Sequence, residues 1–306
     1  TLSLHDALPI SAQNDDEVDG MKKLTRQKFT EGFVMVLMYS SLLVVGGSLG
    51  WILVTLFIKG LPALNWAMIS QVPQGGFYLG KEGGILNAII GSLYLALGGT
   101  ILALLVGLPI ALGLNTYIKR KSRWAMSVRL ALDVLWGVPS IVYGAFGFTI
   151  MLAMGMRASL LAGIITLAFV ELPIMVRSMD EVMRMMPREL EHASYALGAT
   201  RLETAFQVVL RQMLPGLVTA VLLAFGRGIG DAASVLFTAG YTDRIPTSLL
   251  DPTASLPLAV FFQLSTPFPE VQQRAYAAAL VLTILILLVS ILSRILAARL
   301  SKFSVK

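Results

Sequence analysis

The sequence predicts an all-α membrane protein with six transmembrane helices. Its mean hydropathy is +0.76 and only 14% of its residues are charged, which makes the chain too apolar for an ordinary soluble domain. A helix needs about 20 apolar residues to cross a bilayer. Six segments approach or exceed this length with few charges, and they cover residues 33–58, 85–118, 134–156, 158–176, 215–240 and 275–293.

The charges in or beside these segments mark positions of functional interest. Asp133 stands at the edge of the third segment, Glu171 interrupts the fourth, and the fifth contains both Arg227 and Asp231. A charged side chain inside the bilayer costs about 2.5–3.5 kcal/mol by insertion scales, so it usually faces a cavity or a partner. These side chains are therefore candidates for a pathway through the membrane or for pairing within it.

Basic residues predict how the six segments are oriented. Threading the spans in order places eighteen of the 24 Lys and Arg residues on the side that holds both termini. Because Lys and Arg accumulate in cytoplasmic loops, both termini and the segment 178–212 are predicted to be cytoplasmic. The connections 59–84 and 241–274 are then predicted to face outward, the second as an irregular loop with a short helix at most. In a soluble chain this positive charge would suggest nucleic acid, but here it reports sidedness, and no nucleic-acid partner is expected.

The N-terminal twenty residues differ from the rest of the chain. They hold five acidic residues and no Lys or Arg, whereas "MKKLTRQKF" follows from residue 21. The stretch "TLSLHDALPIS" resembles a translated sequencing adapter, so residues 1–20 are predicted to be an artefactual or disordered tail, with a real acidic tail as the alternative. Residues 21–32 are predicted to form a cytoplasmic N-terminus, 33–300 a single transmembrane domain, and 301–306 a cytoplasmic tail.

Composition argues against a catalytic or metal-binding chain. The sequence has no cysteine and only two histidines, which excludes disulfides and thiol chemistry and leaves too few ligands for a His-based metal site. Gly75, Gly80 and Lys81 have the spacing of a phosphate-binding loop, but Glu82 stands where Ser or Thr would hold Mg²⁺. We therefore expect no enzyme activity, no cofactor and no metal in this chain.

The segment 178–212 has local signals for two short helices that meet at a glycine. Pro187 favours a helix start, which predicts a helix over residues 188–197, and Gly198 can end that helix with positive φ. Thr200 and Glu203 have the spacing of a capping box, which begins the second helix. The first helix carries an apolar stripe of Leu190, Ala193 and Leu197. This stripe suits either a groove in another protein or an ordinary amphipathic connector.

The same segment resembles the cytoplasmic loop of importer-type ABC permeases, whose pattern is E-A-A-x3-G-x9-I-x-L-P. His192-Ala193-Ser194, Gly198, Val208 and Leu210 match it in register. Two positions depart from it, because His192 replaces the glutamate, with Glu191 one place earlier, and Arg211 replaces the proline. The resemblance implies a type I ABC-importer permease fold and a coupling helix that enters a separate ATPase subunit. The implied contact residues are Glu189, Glu191, His192, Ala193 and Gly198.

Further segments resemble the A-type permease subunit of phosphate ABC importers. "WGVPSIVYGAFG" (136–147) resembles the third-span signature of phosphate-importer permeases, with Pro139, Ser140, Tyr143 and Gly144 as signature positions. "LPIMVRSMDEVMRMMPREL" (172–190), "GRGIGDAASVLFTAG" (226–240) and "LPLAVF" (256–261) resemble the A-type subunit. The family has Gly-Glu-(Thr/Ala)-Ala-Pro after its buried arginine, whereas this chain has an aspartate at 231 and a serine at 234.

Each charged candidate has a functional and a structural interpretation. Arg227 and Asp231 are four residues apart and can pair on a helix face, either as a self-neutralised structural pair or as a lining of the translocation pathway. Arginine suits phosphate because its planar fork donates two parallel charge-assisted hydrogen bonds. Arg177 is interpreted either as an interfacial side chain or as a pathway or gating residue. Asp180 and the adjacent Glu181 are expected to be solvated.

These observations and resemblances predict the permease subunit of an ATP-driven phosphate importer in the bacterial cytoplasmic membrane. The implied partners are a second homologous permease, two ATP-binding subunits that hold ATP and Mg²⁺, an extracytoplasmic phosphate-binding protein, phosphate itself and the lipid bilayer. A stand-alone secondary carrier is one alternative, although the sequence shows no clear inverted repeat. An ABC permease for another oxyanion or small solute is the other.

Overall fold

A computed structural model describes residues 10–74, 82–118 and 122–300, with side chains described from residue 27 onward except for 29 and 82. The chain divides into two compact units, Thr1–Thr55 and Leu56–Lys306. The phosphate-loop-like stretch 75–81 and the predicted tail 301–306 lie outside the described residues. Residues 10–20 are helical, and the prediction that 1–20 are foreign to the domain stays a prediction.

The first unit contains most of helix α1, which covers Ile10–Gly60. Residues from Thr30 onward form an apolar stretch long enough to span a membrane. The hydroxyls of Ser40, Ser41, Ser48 and Thr55 each donate to a backbone carbonyl three or four residues earlier. Polar side chains on this apolar helix thus satisfy themselves internally, as a hydrocarbon environment requires.

The described part of the second unit consists of helices, irregular connections and one short strand pair. Strand β1 (Pro73–Gln74) pairs antiparallel with β2 (Glu82–Gly83). The helices are α2 (Trp66–Ser70), α3 (Leu86–Leu112), α4 (Arg123–Gly137), α5 (Ser140–Ala153), α6 (Leu160–Met185), α7 (Arg188–Ala196), α8 (Arg201–Glu203), α9 (Leu210–Ile229), α10 (Leu256–Leu264) and α11 (Pro269–Leu300). A short 3₁₀ turn covers Leu61–Ala63, and π-helical turns cover Gly113–Tyr117 and Thr204–Val209.

Five helical stretches of the described chain are long and apolar enough to cross a membrane, and a sixth exists if the bent pair α4 and α5 is one span. The five stretches are Thr30–Ala63, Leu86–Tyr117, Leu160–Met185, Arg201–Ile229 and Pro269–Leu300. The prediction of an all-α membrane fold is confirmed. Which ends face the cytoplasm stays a prediction.

The third predicted span, 134–156, was wrong as a continuous helix. Helices α4 and α5 meet at an angle of 98°. Val138 between them is extended, with ψ of 129°, because the ring of Pro139 disfavours helical backbone in the residue before it. Pro139 also lacks an N–H and suits the start of α5. The bend therefore falls inside the signature segment.

The fifth predicted span was also misplaced, because 215–240 is not one helix. The helical stretch begins upstream at Arg201, contains Pro215 in its interior and ends at Ile229. Gly230 follows the helix, and Asp231 begins an irregular segment whose first turn it caps by accepting from Ser234 N at 3.0 Å. Asp231 thus lies beyond the helix end that carries Arg227.

Helices α3, α6 and α9 pack closely around a core of small and flexible apolar residues. A side chain at Gly99 would press on Leu167, and one at Gly107 would press on Val176. Such small residues let membrane helices approach each other. At the start of α6, the N–H groups of Ser159, Leu160 and Leu161 donate to carbonyls of the 230–255 loop. Helix α6 is therefore held at its first turn and along its length.

Candidate translocation cavity and coupling segment

A cavity of about 350 Å³ opens between α4, α5, α6 and α9. Its lining residues are Leu135, Trp136, Val138, Tyr143, Val170, Ile174, Leu223 and Arg227. Most of these side chains are apolar, and Arg227 supplies the one charged group among them. About half of the Arg227 side chain is exposed, at 52%. Arg227 is therefore a candidate contact for an anion.

Of the four signature residues, Tyr143 lines this cavity, and the other three lie at the adjacent bend or on α5. Pro139 and Ser140 begin α5 at the bend, and the hydroxyl of Tyr143 donates to the carbonyl of Leu135 at 2.8 Å. This hydrogen bond closes the bend across the break. A Cβ at Gly144 would lie 2.8 Å from the carbonyl oxygen of Ala233. Glycine is thus needed there for α5 to touch the segment that follows Asp231.

The predicted pair of Arg227 and Asp231 exists, with Nη2 and Oδ2 3.6 Å apart. The Asp231 side chain is buried, at 4% exposure, while its other oxygen accepts the Ser234 N–H. The family has glutamate at position 231 and proline at 234, where this chain has aspartate and serine. A proline at 234 would have no N–H to donate to Asp231, so the hydrogen bond links the two departures. The aspartate therefore has a structural role as a cap, while Arg227 keeps only one long contact to it.

Glu171 is completely buried between α3, α6 and α9. Its Oε2 accepts from the hydroxyl of Thr100 at 2.8 Å, and Oε1 has no hydrogen-bond partner among the described residues. A side chain at Gly228 would collide with Oε1. Gly228 thus makes room for this carboxyl one residue from Arg227. The sequence drew attention to Glu171 but not to Thr100 or Gly228.

A second group of charges lies where α4 crosses α6. We call it the Asp180 cluster, and it consists of Asn115, Arg129, Asp133, Arg177 and Asp180. Arg129 donates to Asp180 from Nε at 2.8 Å and from Nη2 at 2.9 Å, and Asn115 Nδ2 donates to Oδ1 at 2.9 Å. Arg177 bridges Asp133, at 2.9 Å, and Asp180, at 3.4 Å.

The Asp180 cluster corrects the expectation that Asp180 is solvated. Asp180 is fully buried, whereas its neighbour Glu181 is 63% exposed. Two arginines and an amide supply enough donors to hold the carboxylate inside the packed helices. The sequence missed Arg129 and Asn115, although the four-residue spacing of Arg129 and Asp133 already placed both on one helix face.

Residues 178–212, the candidate coupling segment, follow the local prediction in part. The first short helix and the capping box are present, but the second helix is not short, because it continues as the helical stretch Arg201–Ile229. The first residues of the segment complete α6, and α7 covers Arg188–Ala196. Gly198 has φ of +85°, its N–H donates to the Tyr195 carbonyl, and the Ala199 N–H donates to the Ser194 carbonyl. These two bonds form a Schellman motif. The predicted capping box of Thr200 and Glu203 is also present.

Helix α7 presents most of its predicted contact residues outward. Glu189, His192, Ala193 and Gly198 are exposed, and Glu191 is half-buried. Leu197 is 89% exposed, whereas Leu190 of the predicted stripe packs against the core. The Ser194 and Thr204 hydroxyls lie 2.9 Å apart and tie α7 to the following turn. The helix is thus anchored on one side and open on the other.

No group of three or more Asp, Glu or His side chains in the described part of the chain could hold a metal ion. The described residues instead offer three candidate features: a cavity that Arg227 lines, a buried charge cluster and an exposed short helix.

Comparison with known proteins assigns the class. Residues 99–302 match the family described as "Binding-protein-dependent transport system inner membrane component". The chain belongs to this family and is a multi-pass inner-membrane protein. The methionine ABC transporter MetNI, in an inward-facing structure, shares the fold with a TM-score of 0.59 at 18% identity, over 71% of this chain and 95% of that one.

Within this family, the chain is similar to phosphate transport system permease proteins from several bacteria. The phosphate transport system permease protein PstA of Yersinia pestis is 34% identical over 249 residues, which is 81% of this chain and 83% of that protein. PstA of Haemophilus influenzae is 33% identical, over 80% of this chain and 86% of its own length. PstA 1 of Mycobacterium tuberculosis is 33% identical over 76% of this chain and 80% of its own length.

Proposed function

We propose that this chain carries inorganic phosphate across the cytoplasmic membrane as a permease subunit of an ATP-driven importer. The observation that carries the proposal is the similarity to PstA proteins, which extends over four fifths of the chain. The cavity beside the signature segment supports it, because this cavity offers an arginine in an otherwise apolar wall.

Arg227 is the residue we assign to the anion. Its guanidinium is half exposed, and its contact to Asp231 is long enough, at 3.6 Å, to be exchanged for a ligand. A phosphate oxygen pair could accept two parallel N–H bonds from it, which a lysine could not offer in the same geometry. Asp231 would hold the arginine between transport events. Arg177 is assigned to gating, since it connects α4 and α6.

We assign ATP and Mg²⁺ to a separate subunit that docks on α7. Glu189, Glu191, His192 and Ala193 provide the contact face, and Gly198 sets the angle at which the chain leaves it. Two such ATPase subunits and a second permease would complete the membrane complex. The connections 59–84 and 241–274 would receive an extracytoplasmic phosphate-binding protein. Both termini and α7 would then be cytoplasmic.

The test is reconstitution of the full chain in proteoliposomes with its ATPase, second permease and binding protein. We expect uptake of radiolabelled phosphate that requires ATP and all four components, and that excess sulfate does not inhibit. Uptake by this chain alone would identify a secondary carrier instead. ATP-dependent uptake of sulfate in place of phosphate would keep the importer class and overturn the substrate.

A further inference from the structure

The Asp180 cluster connects three elements through one carboxylate. Oδ1 accepts from Asn115 and from Arg129 Nη2, each at 2.9 Å, and Oδ2 accepts from Arg129 Nε at 2.8 Å. Asn115 lies in the π-helical turn after α3, Arg129 in α4 and Asp180 in α6. Because the arginine donates from two nitrogens, the contact defines an orientation as well as a distance.

The position of the cluster is the second observation. On α6, Asp180 follows the cavity residue Ile174 by six residues, about 9 Å along a helix, and precedes α7. On α4, Asp133 precedes the cavity residue Leu135 by two residues. On α6 the cluster therefore lies between α7 and the cavity, and on α4 it adjoins the cavity.

The adjacent connections indicate which contacts can pass on a displacement. Only Met186 and Pro187 separate α6 from α7. Helix α4, in contrast, ends at the extended Val138, where the chain turns through 98°. A displacement of α7 is thus delivered directly to α6, but it reaches α4 and the bend only through side-chain contacts.

We propose that Asp180 is a positioning residue that clamps α4 to α6, so that movement of α7 reshapes the cavity at the α4–α5 bend. The proposal rests on the function proposed above. Arg129 supplies the rigid, buried half of the clamp, and Arg177 supplies a second half that reaches Asp133. Without the clamp, α4 would follow α6 only through apolar packing, and Leu135 and Trp136 would move less than α6.

The test measures phosphate uptake and ATP hydrolysis in the same proteoliposomes that hold the complete complex. The first variant combines Arg129→Met with Asp180→Leu, which removes both charges of the buried pair and leaves Arg177 with Asp133. Apolar replacement of a buried ion pair often preserves folding. We expect ATP hydrolysis within about twofold of wild type and at least about a tenfold fall in phosphate carried per ATP.

A second variant keeps the test decisive if the double variant does not assemble. Asp133→Asn removes the bridge that Arg177 forms between α4 and α6 at a half-exposed site. We expect the amount of phosphate carried per ATP to fall about threefold. The matched control is Glu181→Gln, because Glu181 contacts Arg177 at 3.9 Å within α6 and forms no ion pair to a second helix among the described residues. The phosphate carried per ATP by this control should equal that of wild type.

The two proposals fail in different ways. If the wild-type complex does not couple ATP hydrolysis to phosphate uptake, the proposed function fails. If the wild type couples but Asp133→Asn and the double variant carry as much phosphate per ATP as Glu181→Gln, the clamp is wrong and the importer stands. Loss of complex without a change in this ratio would mean that the cluster only stabilises the fold.

Discussion

Two pairs of opposite charge in this protein differ in almost everything except composition. Asp180 is fully buried and accepts two short bonds from Arg129, with more from Asn115 and Arg177. Arg227 is half exposed and lies 3.6 Å from its aspartate. The Arg129–Asp180 pair is buried, so a ligand could not reach either side chain. In the Arg227–Asp231 pair, the guanidinium is open to a cavity. Burial and hydrogen-bond saturation, rather than charge, therefore decide which of the two pairs leaves a charged group open to a ligand.

The sharpest way to break this comparison is to remove each carboxylate. Asp180→Ala leaves the Arg129 guanidinium buried without its bidentate acceptor, so we expect a loss on the order of 3–5 kcal/mol in unfolding free energy. Asp231→Ala should lower the unfolding free energy by less, because the Arg227 side chain can turn to solvent. Thermal and denaturant unfolding of the purified protein would measure both, with Glu181→Ala as an exposed control. Equal losses from the two aspartates would refute the distinction.

Replacing the cavity arginine tests the functional side of the comparison. Arg227→Gln should lower phosphate uptake by the complete complex at least tenfold. The unfolding free energy should fall by no more than about 1 kcal/mol, because the contact to Asp231 is long, at 3.6 Å, and Asp231 keeps the bond from the Ser234 N–H. The phosphate uptake of Arg227→Lys should lie between those of wild type and Arg227→Gln, since lysine keeps the charge but not the planar fork of two donors. Arg157→Gln, an exposed arginine outside the cavity lining, is the matched control. A normal rate in Arg227→Gln would remove Arg227 from the pathway.

The cap at Asp231 can be tested through its donor. Ser234→Pro removes the N–H that Asp231 accepts, and we expect a loss of about 1–3 kcal/mol because a buried charged acceptor is left short of a partner. Ser234→Ala keeps the N–H and should be nearly neutral, since the Ser234 hydroxyl has no partner in the described structure. Adding Asp231→Glu to Ser234→Pro restores the family pattern and should recover part of the loss. No recovery would mean that the two departures are independent.

The hinge after α7 offers a matched pair of glycines. Gly198 and Gly155 have φ of +85° and +67°, and a Cβ at either would meet no atom within 4 Å. Alanine at each should therefore cost about 1 kcal/mol through backbone strain alone. Only Gly198→Ala should also lower phosphate carried per ATP, because of the two glycines only Gly198 adjoins the proposed ATPase contact on α7. Equal ratios in the two variants would argue against α7 as the coupling helix.

The smallest effect concerns an exposed carboxylate in the 230–255 loop. Hydrogen bonds from Thr247, through its backbone N–H and its hydroxyl, and from the Ser248 N–H lower the pKa of Asp251. A lowered folded-state pKa gives stability that is present above the unfolded pKa, about 4, and is lost as the pH falls through the folded value. Wild type should therefore unfold at a higher temperature than Asp251→Asn at pH 6. The difference should shrink as the pH is lowered from 6 through the ordinary aspartate range, about 4. A difference in unfolding temperature that did not change with pH would contradict this origin.

Local structure was largely predictable because its causes are local. The spacing of Thr200 and Glu203 contains the capping box, and the position of Gly198 contains the positive φ. Apolar segments of sufficient length indicated the membrane helices. Errors arose where a local signal was given too little weight. Pro139 interrupts the third span, and the helix that carries Arg227 ends at Ile229, before Gly230 and Asp231.

Among the charged residues, pairs that are close in sequence were predictable and pairs that are distant in sequence were not. Sequence reasoning singled out Arg227 and Asp231 because charges within an apolar segment are costly, and their pairing followed from their spacing. It missed Arg129 as the partner of Asp180, because 51 residues separate the two and no local rule joins them. The same holds for Thr100 and Glu171, which are 71 residues apart.

By itself, the sequence determined a helical membrane protein, a polar segment with two capped helices, and the identity of the side chains that could meet an anion. The tertiary structure decided which of those charged side chains are buried in ion pairs and which stay exposed. Asp180 and Arg177 became a link between α4 and α6, whereas Arg227 stayed half exposed beside an apolar cavity. The physical reason is that burial and the number of available donors are properties of packing between distant segments, and a sequence fixes those only through the complete fold.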